Sequence, residues 1–337
     1  MRPLFTIGIP VFNAMPYLPE ALDSVLGQTY PYFELLVIND GSRDGSLEYL
    51  RSLSDPRLRI IAQENRGLTA TLNRMLEDAR APWLVRLDAD DVCCPERLAT
   101  ILGALELHPG AGMFYSRACL YGHPRSMASA RATEGTPAEL RHFTRSGYLL
   151  AIVHSSVVLN VAKTRALGGY RFDLHIEDLD LWWRMALRHD VVFLPQVTVH
   201  HRLNHTSICI NNLQRLSANT LFAQYLLLSH LWELEPQPYK AVIGALSHLV
   251  DSSRLVYREE MWRAAADLGS GRYCQAAPYL FRAALHSPAC FLRRITYPFR
   301  REPAVRLGED PAQFRRIARQ LWPLEELSNR AFAFEPA

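Results

Sequence analysis

The chain has 337 residues and a mass of 38.4 kDa, enough for two domains of about 100–200 residues each. With 49% hydrophobic and 21% charged residues, its composition is that of a globular protein and excludes disordered or collagen-like architectures. The net charge of +3 is uneven, because Arg282–Arg319 carries nine arginines against Glu302, Glu309 and Asp310.

Phe5-Thr6-Ile7-Gly8-Ile9, ending at Pro10, is a short apolar, partly β-branched run and predicts a buried strand. Leu18, Ala21, Leu22, Val25 and Leu26 then recur at helical spacing. Phe33–Ile38 predicts a second strand, stopped by Asn39-Asp40-Gly41-Ser42. A helix over Asp44–Leu53 follows, with Ser42 or Asp44 available to cap it. Next come a strand over Leu58–Ala62, a helix over Leu68–Ala79 and a strand over Trp83–Leu87. Pro95 is expected to open a helix reaching about Leu107, since proline suits a first helical turn. Strands separated by helices of this length specify right-handed βαβ units and a mostly parallel sheet. The ligand crevice of such a sheet lies beyond the carboxyl ends of its strands. Pro10–Asn13, Asn39–Asp44, Asn65–Gly67 and Asp88–Asp91 all fall at those ends.

Past Gly110 the pattern loosens. Strands are expected at Met113–Ser116, Ile152–Asn160 and Val191–Leu194, with a polar loop around Gly122–Gly135. Gly168-Gly169-Tyr170 reads as a turn and Leu179–Arg188 as a helix. After about Leu213 strand signals stop. Ala218–Leu234, Tyr239–Arg254, Glu259–Leu268, Gln275–His286 and Pro311–Trp322 read as helices, which suggests an α/β domain over 1–213 and a helical region over 214–337. Ala264–Leu268 with Gly271, Tyr273 and Ala276 resembles one tetratricopeptide-like hairpin, and one copy makes no array.

Several classes fall away. The longest purely apolar runs, such as Leu149–Val153 and Tyr225–Leu228, are far short of the ~18 residues that cross a bilayer. No signal-peptide core follows Met1, so the expected location is the cytoplasm. Cys93, Cys94, Cys119, Cys209, Cys274 and Cys290 include no Cys-x-x-Cys pair, which argues against a zinc or disulfide framework. The basic region contains no recognisable nucleic-acid-binding module, and no nucleic-acid partner is expected.

The residues at the strand ends suggest chemistry. Asp88 and Asp90, at i and i+2 of an extended chain, can point to one side and suit a divalent metal that bridges phosphates. Solvated turn residues are the alternative. Asp40 is placed to accept hydrogen bonds from a base or ribose, with Gly41 and Ser42 allowing close approach; an Asx turn would use the same residues. Asn65-Arg66-Gly67 offers an arginine to phosphates, or serves only as a turn before a helix. Glu177-Asp178 opens a helix, as a dipole cap or as a carboxylate that removes a proton from a hydroxyl.

In order, these segments closely resemble family 2 glycosyltransferases. The resemblance is carried by Ile7-Gly8-Ile9-Pro10-Val11-Phe12-Asn13, Ser24-Val25-Leu26-x-Gln28-Thr29 and Phe33–Ser42 with Asp44. It continues through Asn65-x-Gly67 with Ala70 and Asn73, Leu87-Asp88-Ala89-Asp90-Asp91 and Pro95-x-Arg97-Leu98. Gly168-Gly169-Tyr170, Glu177-Asp178-x-Asp180-Leu181-Trp182-x-Arg184 and Arg202-x-x-His205 complete it, over roughly residues 4–210. The resemblance implies an α/β GT-A fold, a Rossmann-like mostly parallel sheet flanked by helices, that binds a nucleotide-sugar. Pro10, Phe12, Asn13, Asp40, Ser42, Asn65, Arg66, Gly67 and Asp88 would meet the donor. Asp88 and Asp90 would meet a Mn²⁺ or Mg²⁺ ion, ahead of Asp91 and His205. Asp178 would be the base, with Glu177 and Trp182 on the acceptor side. Two departures stand out. Asn39 replaces a first Asp found in many members, and Cys93-Cys94 alters the loop after the metal motif, leaving the main ligand open.

The expected reaction is an inverting transfer from a nucleotide-sugar, by family precedent a UDP-sugar, to an acceptor hydroxyl. A bacterial surface polysaccharide or glycoconjugate pathway is the expected setting, with a glycan or lipid-linked acceptor. The competing reading is a nucleotide-sugar-binding or assembly protein without turnover. Nucleotidyl transfer would want a Gly-rich basic loop where Pro10-Val11-Phe12-Asn13-Ala14 stands. Arg293, Arg294, Arg300 and Arg301, interleaved with apolar and aromatic residues, suit an anionic membrane surface or a solvated basic face.

Overall fold

The structure, a computed structural model, describes residues 3–121, 130, 132–202, 213–250, 252–269, 271–288, 290–291 and 321–322. His205, Cys209, Arg293, Arg294, Arg300 and Arg301, and nearly all of the helix expected over Pro311–Trp322, lie outside the described residues. The chain forms two compact units. The first comprises Met1–Thr144, Leu150–Asp173 and Glu177–Arg202, and the second Arg145–Leu149, Leu174–Ile176 and Leu203–Ala337.

The first unit is built on an eight-stranded sheet. Its strands are β1 (Phe5–Val11), β2 (Phe33–Asp40), β3 (Leu58–Gln63), β4 (Trp83–Arg86), β5 (Val92–Cys93), β6 (Met113–Tyr121), β7 (Val157–Asn160) and β8 (Val191–Arg202), in the order β3-β2-β1-β4-β7-β6-β8-β5. β3, β2, β1 and β4 are parallel, as their βαβ connections require. The rest is mixed: β7 runs antiparallel to β4 and β6, β6 and β8 are parallel, and β5 is antiparallel to β8.

Alternation along the strands makes two cores. Ile7, Ile9, Leu35, Val37 and Val85 face one side, against Leu18 and Leu22 of α1 (Leu18–Leu26), Leu50 of α2 (Ser46–Ser52) and Ile101 of α4 (Arg97–Leu107). Leu36, Ile38 and Leu84 face the other, against Leu72 and Met75 of α3 (Leu68–Asp78) and Leu181 and Met185 of α7 (Glu177–Arg188). Two further helices, α5 (Pro137–Arg145) and α6 (Val161–Ala166), add Leu140 and Val161 to that second core. Both cover polar-rich sequence in which no helix was expected.

In this unit four expected elements and caps need correction. The helix expected from Pro95 starts at Arg97, because β5 keeps the chain extended and the Cys94 N–H bonds to the Thr198 carbonyl. Neither Ser42 nor Asp44 caps α2. Gly45 is its N-cap residue, with no side-chain cap bond, and Asp44 Oδ1 accepts from the Ser46 N–H and hydroxyl. The strand expected over Ile152–Asn160 begins only at Val157, after a 3₁₀ turn at His154–Ser156. β8 runs past Leu194 to Arg202, because its pairing with β6 skips Pro195-Gln196 at an irregularity where proline is tolerated.

In the second unit the described helices are α8 (Leu213–Leu231), α9 (Tyr239–Ser247), α10 (Ser252–Gly269) and α11 (Tyr273–His286). The single helix expected over Tyr239–Arg254 is broken after Ser247, where Leu249 and Val250 make turn bonds to Leu246 and Ser247. α10 and α11 pack together as the expected hairpin. No helix among the described residues is long and apolar enough to cross a membrane.

Candidate active site

The loops after β1 and β2 are stitched together. Ser42 Oγ accepts from the Asn13 N–H (3.0 Å), Asp44 Oδ2 from the Met15 N–H (2.8 Å), and Asn13 Oδ1 from the Arg43 N–H (2.8 Å). Asn13 sits at φ 51°, a left-handed conformation that asparagine tolerates better than most residues. Phe12, next to it, leaves 53% of its surface exposed at the strand end, an unusual placement for a phenylalanine.

Asp40 organises the next loop. Its buried carboxylate accepts from Gln63 Nε2 (2.7 Å), the Arg66 N–H (2.9 Å) and the Gly67 N–H (3.0 Å). The Asn65–Gly67 turn is therefore hung from the end of β2, with Asn65 and Arg66 exposed. Gly41 is required here: it has φ 78°, and a Cβ would lie 2.9 Å from the Asn65 nitrogen.

The turn Asp88–Asp91 follows β4 and is closed by an Asp91 N–H bond to the Asp88 carbonyl (3.2 Å). Both Asp88 oxygens are engaged: Oδ1 accepts from Arg86 Nη2 (2.7 Å) and Oδ2 from the Ser155 hydroxyl (2.8 Å). Burial works against its ionisation, but Arg86, His154 and these bonds hold the carboxyl well below the usual range. Asp91 is fully buried and bonded to His201 Nδ1 (3.1 Å) and the Arg202 N–H (2.8 Å). Burial opposes a charge on His201, yet Asp91 raises its pKa to about 9. Arg202 also donates to the Asp90 carbonyl (2.8 Å), pairs with Glu20, and lies 4.7 and 4.5 Å from the rings of Tyr17 and Tyr121. Asp90 itself is pushed up to about 7 by burial and by the charges of Asp91 and Asp88.

That crowding of carboxylates suits a divalent cation. Asp88 and Asp90 offer hard oxygens, and two carboxylates plus substrate phosphates is the usual way proteins hold Mg²⁺. Among the described residues no three His, Cys, Asp or Glu side chains are arranged to hold a metal alone, so phosphate oxygens would have to complete the shell.

Glu177 and Asp178 occupy the first turn of α7. Burial, followed by the Asp178 charge, raises Glu177 to about 8. Burial raises Asp178 to about 6, against a bond from the Leu179 N–H (2.6 Å). Asp178 feels the charges of both Asp88 and Arg86, which puts the acidic pair in electrostatic reach of the β4 turn. The rest of the motif is a clamp. Asp180, fully buried, accepts from Arg171 and Arg184, and Arg184 donates to the Leu167 and Gly169 carbonyls (2.7 and 2.8 Å). This fixes the Gly168–Tyr170 turn, where Gly169 has φ 64° and a Cβ would lie 2.5 Å from Asn73 Oδ1.

Trp182 corrects the acceptor-side expectation. It is fully buried in the core beside α3, its ring edge-on to His154, and has no surface to offer an acceptor. Sequence reasoning passed over Arg86, His154 and Ser155. Arg86 had a signal, since it lies at i−2 from Asp88 on the same strand face. Ser155 and His154 had none, because a distant segment brings them in.

Residues 6–159 match the model for glycosyl transferase family 2. EpsE of Bacillus subtilis is 29% identical over 199 residues, covering 54% of this chain and 66% of that protein. The chondroitin synthase of Pasteurella multocida is 34% identical over 102 residues, covering 30% of this chain and 11% of that protein. The chain thus spans less than two thirds of these relatives. Among solved structures, S. aureus TarS with UDP-GlcNAc aligns over 86% of this chain and 92% of its own, with a TM-score of 0.54 and 12% identity. The mannosyltransferase PcManGT of Pyrobaculum calidifontis, with GDP-Man and Mn²⁺, covers 95% and 84%, with a TM-score of 0.53 and 20% identity. At these identities the likeness establishes the GT-A fold. The chain is thus similar to the family 2 glycosyltransferases over residues 6–159, a little under half of its length.

Proposed function

We propose that the protein transfers a sugar from a nucleotide-sugar, in the first instance a UDP-sugar, to an acceptor hydroxyl with inversion at the anomeric carbon. The observation that carries this reading is Asp178, a carboxyl with pKa near 6 in electrostatic reach of Asp88. A base that is ionised at neutral pH yet still basic is what removal of a hydroxyl proton needs. Asp178 takes the acceptor proton as the acceptor oxygen forms its bond to the anomeric carbon from the face opposite the leaving group. The bond from that carbon to the diphosphate oxygen breaks, and the nucleoside diphosphate leaves with the electron pair. Glu177, buried beside Asp178 and raised to about 8, would serve the acceptor side as a protonated hydrogen-bond donor.

On the donor side, Phe12 would offer its exposed ring to the base, and Pro10, Asn13 and Ser42, with Asp40 holding the neighbouring turn, would meet base and ribose. Asn65, Arg66 and Gly67 lie beside it on the Asp40-held turn, with Arg66 available to phosphate. Asp88 and Asp90 would hold Mg²⁺ or Mn²⁺, which when bound neutralises charge on the departing diphosphate. UDP-GlcNAc in TarS and GDP-Man with Mn²⁺ in PcManGT support a nucleotide-sugar donor and such a metal. A glycan or lipid-linked acceptor in bacterial surface polysaccharide synthesis fits the chondroitin synthase relative. Attachment to an anionic inner membrane face through Arg293, Arg294, Arg300 and Arg301 fits the basic sequence. Co-sedimentation with anionic liposomes tests that attachment: alanine at all four should abolish it, and undiminished binding refutes it.

The deciding variant is Asp178→Asn. It should lose transfer from UDP-sugars by at least a hundredfold while binding UDP with unchanged affinity. Transfer at the wild-type rate would remove Asp178 from the chemistry.

A further inference from the structure

The Asp88 carboxylate is held from beneath by two residues that no sequence motif assigns. Ser155 both accepts from the Asp88 N–H (2.9 Å) and donates to its Oδ2 (2.8 Å), and it is fully buried. Arg86, 1% exposed, donates to Oδ1 through Nη2 (2.7 Å), while its buried Nε and Nη1 have no hydrogen-bond partner. Both holders are bolted to one strut: the buried Arg97 guanidinium donates to the Ser155 carbonyl (2.6 Å) and the Arg86 carbonyl (3.0 Å). An arginine with two idle nitrogens is a costly way to fill a core, since apolar side chains of similar volume would pack at no desolvation cost. Its one hydrogen bond is spent on aiming a carboxylate.

We propose that Arg86 and Ser155 are positioning residues for the donor site, fixing both oxygens of Asp88 in the orientation that meets the nucleoside diphosphate. The inference rests on the glycosyl-transfer reading and goes beyond it in naming what sets Asp88. Loss of a hydrogen bond to a charged group changes affinity about ten- to a hundredfold. The effect belongs to donor binding, so it appears in KM for the donor and in Kd for UDP with Mn²⁺, and far less in kcat.

The test is a double-mutant cycle of Ser155→Ala with Asp88→Ala, read as Kd for UDP with Mn²⁺ and as donor KM and kcat. Ser155→Ala alone should raise Kd and KM at least tenfold with kcat within about threefold. In the Asp88→Ala background it should add nothing. Arg86 supplies a second measurement, because its single bond can be made by an ammonium group. Arg86→Lys should keep the donor KM within about threefold of wild type, and Arg86→Gln should raise it more than tenfold. Additive effects in the cycle, or a loss of thermal stability with KM unchanged, would reduce both residues to structural supports and overturn the inference alone. If the wild-type protein binds neither UDP nor GDP, the glycosyl-transfer reading fails and this inference falls with it.

Discussion

Asp180→Asn keeps the shape of a side chain at the centre of the α7 clamp and removes its charge. Asp180 is fully buried and accepts four arginine hydrogen bonds, from Arg171 Nε and Nη2 (2.9 and 2.7 Å) and Arg184 Nε and Nη2 (3.0 and 2.7 Å). The two arginines will not suffer equally. The Arg171 side chain is 40% exposed and can turn to water, whereas that of Arg184 is 8% exposed and cannot. The cost is thus that of one buried guanidinium left without its counter-ion, about 3–5 kcal/mol. For a unit of this size each kcal/mol lowers the melting temperature by about 2–4 °C, so a fall of at least about 6 °C is expected. Equilibrium urea unfolding gives the free energy directly. Asp180→Leu combined with Arg184→Met removes both charges and should recover at least half of the loss. Transfer activity should fall with the single substitution, because Arg184 also anchors the Gly168–Tyr170 turn. A destabilisation below about 1 kcal/mol would refute the argument that the clamp is electrostatically closed.

Three other outcomes follow from the site. If Asp178 is the base proposed above, transfer rate should rise with pH to a plateau with a midpoint near 6, and at pH 5 it should be about a tenth of the plateau; a flat profile between pH 5 and 7.5 would contradict this. Glu177 has a folded pKa of about 8, above its ordinary value of 4.5, so the native state holds a proton that the unfolded chain releases. That contribution is complete below about pH 4.5 and is lost as pH rises through 8; Glu177→Gln should therefore flatten the fall in urea midpoint between pH 5 and 9. Arg202→Ala removes the support of the Asp90 carbonyl and the stacking on Tyr17 and Tyr121, and should cost about 1–3 kcal/mol while weakening Mn²⁺-dependent nucleotide binding.

The parallel half of the sheet was readable because its strands are buried on both faces. Phe5–Val11 and Phe33–Asp40 are near-continuous apolar runs punctuated by turn residues, and each intervening helix repeats at 3.6. The mixed half was not. β5 is two residues long, β8 crosses a proline, and His154–Ser156 turns where the apolar pattern reads as strand. Among the candidate site residues, those beyond strand ends stand out in the sequence by type and place, as Asp40, Asp88 and Asp90 do. The buried shell does not. The Asp91–His201 pair joins residues 110 positions apart, and Ser155 reaches Asp88 across 67, distances over which no local spacing carries information. Trp182 misled because an aromatic beside an acidic motif looks like a binding surface, whereas helical phase turns it into the core.

The most direct measurement is thermal unfolding of the full chain with UDP or GDP, each with Mn²⁺, Mg²⁺ or EDTA. A nucleoside diphosphate at 100 times its dissociation constant stabilises the native state by about 2.7 kcal/mol, a rise of about 5–10 °C for a unit of this size. The account predicts such a rise with one nucleotide, present with Mn²⁺ or Mg²⁺, lost in EDTA, and absent in Asp90→Ala. No rise with either nucleotide under any metal condition would contradict it.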